Sequence, residues 1–537
     1  MRTDLSAQAG EAAPIIEDSR HRRVILIAVC VALMAVIASV SGLNVAQPQL
    51  AIEFDVSQST VLWIINSYAI SLAALLLPLG AIGDRVGRRP ILLAGLAVFG
   101  VASAAAGLAP SAEAMLAARF LGGVGAAMIM PVTLAVITST FPDAERSKAI
   151  GVWSGVAGGG GILGMYLSAL LVDLANWRWL FALPVALVLA AAILTLRSVP
   201  NSRERSPHRF DIVGSLTSVV AVLGLIVVLH EGAEQGWTAP ATLLSLLVGV
   251  AATVGFVVWE SRQTAPLLDV RLFRERGLAS GSISLLTVFG VLAGIFVVLF
   301  PYFQAVLGWS GLRSTLALMP MALLMMLASA LAPRLAARIG SRATMAFGIF
   351  LAGAGLALLA TLVSVEGGYR SVLPGMLIMG LGMGLSMTPS TEAITTALPR
   401  ERQGVASALN DVTREFGTAL GVALLGAVLS AGYRNAIDSR LDGVPVPAAD
   451  AARAGVANAI DAADLAGPRA DEVVRVAQES FVDGWRTAMW AGFVVMVVLF
   501  GYVLVRGPQR RPVAMPTDPP PADPTEGSSS HPSALAR

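Results

Sequence analysis

Charge is what this chain has least of. Only 13% of its 537 residues are Asp, Glu, Lys or Arg, where a water-soluble globular chain carries about 25%. Most of its surface therefore does not face water. The formal net charge of +2 is too small to argue for a nucleic-acid partner. Cys30 is the one cysteine; it can form no internal disulfide, and no cysteine cluster exists for a metal ion. The four histidines, His21, His208, His230 and His531, are scattered, whereas a membrane enzyme needs its polar groups gathered at one face. No G-x-x-x-x-G-K-[ST] phosphate loop occurs, which argues against a nucleotide-driven pump. Neither a metal nor a cofactor is expected. A cleavable signal peptide is not expected either: the first twenty-odd residues are polar, and the first apolar run is long enough to remain in a bilayer.

What the chain has in quantity is apolar sequence: 55% hydrophobic residues and a mean hydropathy of +0.73. A bilayer core of about 30 Å needs about 20 apolar residues in a helix. Such runs occur at 24–43, 61–80, 90–109, 113–133, 149–171, 179–196, 212–230, 241–259, 278–300, 313–332, 343–363, 371–391, 405–430 and 486–505. They predict helices, because lipid offers no partner for backbone N–H and C=O. They are too long and too uniformly apolar for barrel strands. The fold class expected is an all-α polytopic membrane protein with fourteen transmembrane helices.

Basic residues set the expected orientation. With the N-terminus inside, 26 of the 37 Lys and Arg fall in cytoplasmic segments and nine outside. Six of those nine lie in one long loop, which weighs little in the positive-inside rule. Both termini are therefore expected in the cytoplasm of a cell whose inner membrane the chain crosses.

The chain divides into a cytoplasmic segment 1–23, a six-helix block 24–196, a loop with two inserted helices 197–277, a second six-helix block 278–505 with an outer loop 432–484, and a tail 506–537. The tail is rich in Pro and Ser and is expected to stay disordered. The outer loop, rich in Ala and Asp, has room for short amphipathic helices. A repeat links the blocks. Asp84-Arg85-Val86-Gly87-Arg88-Arg89 follows the second run, and Ala337-Arg338-Ile339-Gly340-Ser341-Arg342 follows the tenth. Arg, Gly and Arg match at a constant offset of 253. Internal repeats of this kind let two halves rock about a central site.

The most specific motif is Gly80-Ala-Ile-Gly83-Asp84-Arg85-Val-Gly87-Arg88-Arg89. It is expected in the tight inner turn between the second and third helices. Its glycines allow close helix approach and unusual backbone angles. Asp84 is placed to pair with an arginine or to cap a helix N-terminus. Arg85, Arg88 and Arg89 either anchor to the inner leaflet or bridge to a neighbouring helix.

At these residues the chain resembles the major facilitator superfamily, and fourteen helices point to its drug:proton antiporter branch. Arg119-Phe-Leu-Gly122-Gly123-Val-Gly125 is similar to that family's helix-four motif, and Trp177-Arg178-Trp179-Leu-Phe181 to the turn after helix five. Tyr302-Phe-Gln304 with Gly308, and Arg414 with Gly417 and Gly421, agree as well. The resemblance implies two six-helix pseudo-repeat bundles plus two extra central helices. It also implies a central binding site and a loop 2–3 motif that stabilises the outward-facing state. Two stretches depart from the family pattern. Ser39 stands where close relatives place an Asp that is often assigned to proton handling. The helix-five antiporter motif lacks its usual ending: Met165 follows Gly164, and Ser168-Ala169 replace a glycine pair. Gly151, Gly155, Gly159, Gly160 and Gly164 remain, at a spacing that lets helices pack backbone to backbone; either a swivel between halves or static packing follows.

Charges inside the membrane are costly and usually functional. Asp411, Arg414 and Glu415 lie three and four residues apart on the thirteenth run, so they share one helix face. Loss of water favours a protonated carboxyl and a nearby arginine favours the charged one, so the cluster either exchanges a proton for an ion pair or is a structural pair. Arg119 either holds an anionic group, helps relay protons, or packs against helix-one polar groups. Asn44, Gln47, Asn66, Tyr68, Tyr302 and Gln304, near outer helix ends, either touch substrate or anchor at the interface. His230, beside Glu231, reads as interfacial.

These features predict secondary active export of small, largely hydrophobic compounds in exchange for protons. The expected partners are the bilayer, a small-molecule substrate and protons, with the chain a monomer. A lipid, siderophore or metabolite exporter on the same scaffold is the alternative; a polytopic membrane enzyme is the rival from another class.

Overall fold

The computed structural model describes residues 16–43, 46–203, 210–234 and 236–508. Among the described residues there are seventeen α-helices and no strand. They are α1 (Ser19–Gly42), α2 (Gln47–Phe54), α3 (Gln58–Val86), α4 (Arg88–Gly107), α5 (Ala112–Thr140), α6 (Asp143–Leu174), α7 (Ala182–Ser198), α8 (Ile212–Glu234) and α9 (Pro240–Arg262). Then come α10 (Arg276–Pro301), α11 (Gly311–Ile339), α12 (Ser341–Leu362), α13 (Gly368–Thr395), α14 (Gln403–Asp438), α15 (Val446–Ala454), α16 (Val456–Asp461) and α17 (Ala470–Arg506). All but α2, α15 and α16 are long and apolar enough to cross a bilayer, so the fourteen expected spans are present. An even number of crossings returns the chain to the face it left, here called the terminal face; the opposite one is the far face.

Local chemistry starts and stops these helices. Ser57, Ser111 and Ser310 each accept a backbone N–H three residues on, satisfying one of the orphan donors of a first turn. Prolines 78, 131, 320, 333, 374 and 389 sit inside helices. A bundle tolerates them because neighbouring helices and hydroxyls satisfy the freed carbonyls.

Helices α1 and α3–α7 form one half, and α10–α14 with α17 the other. The halves meet where α3 and α5 pack on α14, and where α6 packs on α11 and α13. The inserted pair α8–α9 packs on itself through Gly224 and Gly249. Val222 and Ile226 of α8 then lie against Ile70 and Ala73 of α3, with Val412 and Phe416 of α14 beside them. The pair therefore covers the seam between α3 and α14.

The tight turn expected in the 80–89 motif is present and shorter than the motif: helix continues to Val86 and resumes at Arg88, and Gly87 alone turns the chain, at φ 125°. Gly340 turns the second half the same way, at φ 94°; both angles lie in the region that favours glycine. The outer loop is shorter than 432–484, because α14 runs to Asp438 and α17 starts at Ala470. Polar turns can extend a membrane helix once its backbone has left the hydrocarbon. Between them α15 and α16 form a cap on the second half, tied down where Tyr433 Oη donates to the Ala452 carbonyl at 2.6 Å and Arg440 pairs with Asp483 at 2.8 Å. Finally, α2 was not expected. Its Glu53 pairs with Arg178 at 2.8 Å, and Phe54 meets Trp177 edge-on.

Candidate functional site

At the terminal face Asp84, in the last turn of α3, does both things its chemistry allows. Its Oδ1 accepts from Arg88 Nη2 at 2.7 Å and from the Gly404 N–H at 2.8 Å, and its Oδ2 accepts from the Val405 N–H at 3.2 Å. It is thus the counter-charge to the N-terminus of α14, where unsatisfied N–H groups and the helix dipole favour an anion. Asp84 is 1% and Arg88 3% exposed, so this pairing is desolvated and strong. Arg88 also donates to the carbonyls of Arg400 and Glu401 and to Ser202 Oγ. Two residues of the first half and the start of one helix of the second are thereby locked together. Arg400 adds an ion pair to Asp143, and Ser147 donates to Glu392, at the same face.

The glycines make this approach possible. A Cβ on Gly80 would lie 2.6 Å from the Gly404 carbonyl oxygen, and one on Gly83 would press Val132. The other seam repeats the contact. A Cβ on Gly151 would lie 2.7 Å from the Ser329 carbonyl oxygen and 3.2 Å from Pro333. Gly80 corresponds to Pro333, and Gly151 to Gly404, at the same offset of 253. The two seams are therefore related copies, but Ala337 stands where Asp84 would be, so the carboxylate lock exists at one seam only. Gly155 and Gly159 continue the second seam against Met326 of α11. Gly160 and Gly164 instead face Met34 and Ala38 of α1. The five glycines thus split between a contact across the halves and packing within one. Of the remaining arginines, Arg85 lies 5.5 Å from the Phe210 ring centre, and Arg89 donates to the Leu196 carbonyl.

Deeper in, Asp411 and Arg414 of α14 form an ion pair at 3.2 Å, fully buried on the acid's side. Arg414 reaches across the seam: its Nη2 donates to the Ala157 carbonyl of α6 at 3.4 Å. Its guanidinium lies between the rings of Phe289, at 4.5 Å, and Trp153, at 5.5 Å. Trp153 is itself held by Thr133 Oγ1 at 3.1 Å. Asn410 donates to Asp411 Oδ1 at 3.3 Å. Asp411 Oδ2, Asn410 Oδ1 and Arg414 Nε have no protein partner among the described residues, so the pair is not saturated. Glu415, one residue on, is half-buried.

Arg119 does not join that cluster. It stays in the first half, where Nη1 donates to Ser39 Oγ at 2.9 Å and the guanidinium lies 4.2 Å over the Tyr68 ring. Tyr68 is 1% exposed and serves as this platform. Tyr302 is a correction. It is 0% exposed, tilted 5.1 Å from Trp485, and donates to the Ser364 carbonyl at 2.9 Å; it is a core residue of the second half and cannot touch a substrate in this conformation. Gln304 is exposed and Asn66 half-buried. Gln47 begins α2, and nothing is described of its side chain; Asn44 lies outside the described residues, and the His230 side chain is likewise undescribed. Sequence reasoning missed Ser202, Gly404, Asn410, Ser147 and Glu392. Gly404 carried the only available signal, a match to Gly151 at the repeat offset.

The family model of the Major Facilitator Superfamily matches residues 29–422. The chain is 31% identical over 500 residues to the multidrug resistance protein Stp of Mycobacterium tuberculosis (strain CDC 1551 / Oshkosh), covering 90% of this chain and 91% of that one. It is 33% identical over 454 residues to the multidrug efflux pump LfrA of Mycolicibacterium smegmatis, covering 84% and 90%. It is 32% identical over 485 residues to the tetracenomycin C resistance and export protein of Streptomyces glaucescens, covering 88% and 89%. Among solved structures, the human organic anion transporter MFSD10 matches with a TM-score of 0.58 at 15% identity, over 88% of this chain and 99% of that one. The proton:xylose symporter XylE matches with 0.58 at 15%, over 91% and 96%. At that identity the structures share the fold alone.

Proposed function

Because this chain belongs to the Major Facilitator Superfamily, we propose that it exports small, largely hydrophobic compounds by alternating access, in exchange for protons. Its relatives are named for multidrug resistance, efflux and export, and the fourteen-span scaffold matches that task. The terminal face is read as the cytoplasmic one; the excess of basic residues on that side supports this orientation. With the Asp84 lock formed there, the conformation is closed to the cytoplasm. Once the compound has left at the far face, opening inward for the next one requires the α3–α14 and α6–α11 seams to part.

The observation that carries the coupling is Arg414 holding Asp411 on its own helix while donating across the seam to Ala157. A proton on Asp411 removes the acid's hold on Arg414. The guanidinium then depends on its contacts with α6 and the two aromatic rings. Protonation is thereby converted into a changed contact between halves, which is what an antiporter needs. The test is proton flux in proteoliposomes of the purified protein, run with a panel of apolar and cationic dyes. Compound addition should drive proton movement in the opposite direction. Compound movement with no proton movement would sink proton exchange and leave export standing.

A further inference from the structure

Arg119 is a buried cation that forms no ion pair among the described residues, although Glu415 of α14 acts electrostatically on its platform Tyr68. It is 3% exposed, seven residues inside α5 from the far-face end. Its described partners are Ser39 Oγ at 2.9 Å, the Ser39 carbonyl at 3.5 Å and the Tyr68 ring. Not one is a carboxylate, and its Nε has no partner among the described residues. Charges removed from water at membrane depth normally pair. The Asp411–Arg414 pair obeys that rule and Arg119 does not.

The surroundings hold the guanidinium rather than let it swing. Tyr68 is packed edge-on to Phe99. Gly122 lies against its ring, where a Cβ would sit 3.4 Å from Cδ2. Gly123 lets α5 approach α3 at Ser71, whose Oγ donates to the Phe120 carbonyl at 3.0 Å. Three helices, α1, α3 and α5, thus present one preorganised fork. On the same side of α5 two apolar residues stand one turn apart in a short stripe: Leu116 and Phe120 are 37% and 52% exposed. This stripe is notable because α5 is the most enclosed of the spans, with 78% of its apolar window buried.

We propose, resting on the export reading above, that Arg119 with Ser39 and Tyr68 forms an anion-receiving subsite, so that exported compounds include amphiphiles pairing an apolar body with a carboxylate. A guanidinium fork matches a carboxylate's two oxygens. The Ser39 hydroxyl, which accepts from Arg119, still has its own proton to donate. The stripe of Leu116 and Phe120 receives the apolar body. Ser39 matters because it is neutral: an acid at that position would neutralise the subsite from within.

The test is binding, which needs no transport. The full-length protein in lipid nanodiscs is titrated with 2-naphthylacetate and with its uncharged match, 2-naphthylacetamide, by calorimetry and by thermal shift in dilute HEPES–NaOH buffer free of chloride and of other carboxylates. The carboxylate should bind about tenfold or more tightly than the amide. That preference should vanish in Arg119→Gln and in Ser39→Asp, and persist in Arg475→Gln, an exposed arginine of α17. Thermal midpoints recorded in the same runs show that each variant is folded. Equal binding of the two probes overturns the proposal, as does a carboxylate preference that survives in Arg119→Gln. If sodium chloride alone stabilises the protein through Arg119 while neither probe binds, the subsite is for an inorganic anion and the substrate class proposed is wrong. Failure of export in vesicles with the carboxylate preference intact would count against the export reading and not against the subsite.

Discussion

Asp84 and Asp411 are the two carboxylates whose removal separates the lock from the coupling. Asp84→Asn keeps the shape but loses the charge that faces Arg88 and the α14 N-terminus. The protein should still insert, and export should fall to background, because the closed state at the terminal face loses its ionic lock. Drug accumulation in cells at matched protein level checks this; wild-type efflux would reduce the motif to a leaflet anchor. Asp411→Asn leaves Arg414 buried without its acid. Losing one partner of a buried pair costs about 3–5 kcal/mol, so a purely structural pair should cost protein yield, and Asp411→Asn with Arg414→Gln should restore it. A coupling pair gives another pattern: a folded single variant whose compound binding persists and whose proton movement is gone. Normal proton exchange in a folded Asp411→Asn variant would move attention to Glu415.

For the helices, the seams are governed by residues that have no side chain. Gly151→Val would place a branched side chain against Ser329 and Pro333 across the halves, 2.7 Å from a carbonyl oxygen at its Cβ. Overpacking of this kind costs about 1–3 kcal/mol where the structure cannot yield. Here the halves can yield, by parting. The expected result is a folded protein with the terminal face held open. Gly164→Val strains only α1 against α6, within one half, so it should lower thermal stability without biasing the two states. Reactivity of a cysteine placed at Ser147 reports the bias: raised in Gly151→Val and unchanged in Gly164→Val. Equal reactivity in both would mean the α6 glycines serve static packing alone. The inserted pair acts on the other seam. Arg402 donates to the Pro266 carbonyl, and the Leu268 N–H donates to buried Glu260, so the segment after α9 is tied to the start of the lock.

The whole molecule is a pair of related halves with one asymmetric lock. The Gly87 and Gly340 turns, and the Gly80–Gly404 and Pro333–Gly151 contacts, obey one pseudo-twofold relation. Only the first half carries the acid. Opening at the terminal face is therefore expected to break the ionic lock of the α3–α14 seam as well as to part the α6–α11 seam. Sidedness is tested directly. In a Cys30→Ala background, Arg203→Cys and Leu465→Cys should label from opposite sides of intact cells, with Leu465→Cys accessible from outside. Labelling of both from one side would overturn the orientation and, with it, the direction of export.

The fourteen spans were legible because a bilayer imposes a one-dimensional rule: about 20 apolar residues for each crossing, whatever they touch. The motif of residues 80–89 was legible because glycine, acid and arginine at that spacing have few other uses. Partners were legible only in part. Packing of Arg119 against helix-one polar groups was one of the readings open in the sequence, and Ser39 is the group it meets. Asp84 meets Gly404, 320 residues later, a distance no local pattern encodes. Tyr302 looked like a wet, far-face tyrosine until packing enclosed it beneath Trp485. The helices at 446–461 were legible as room for short amphipathic helices; their seating on the second half was not, because their alanines bury against protein and not into lipid. Apolar content alone set the crossings, since each helix must satisfy lipid by itself. Which polar groups meet, and which one is left unpaired, was decided only when the helices packed, because a buried charge is judged by neighbours that other segments supply.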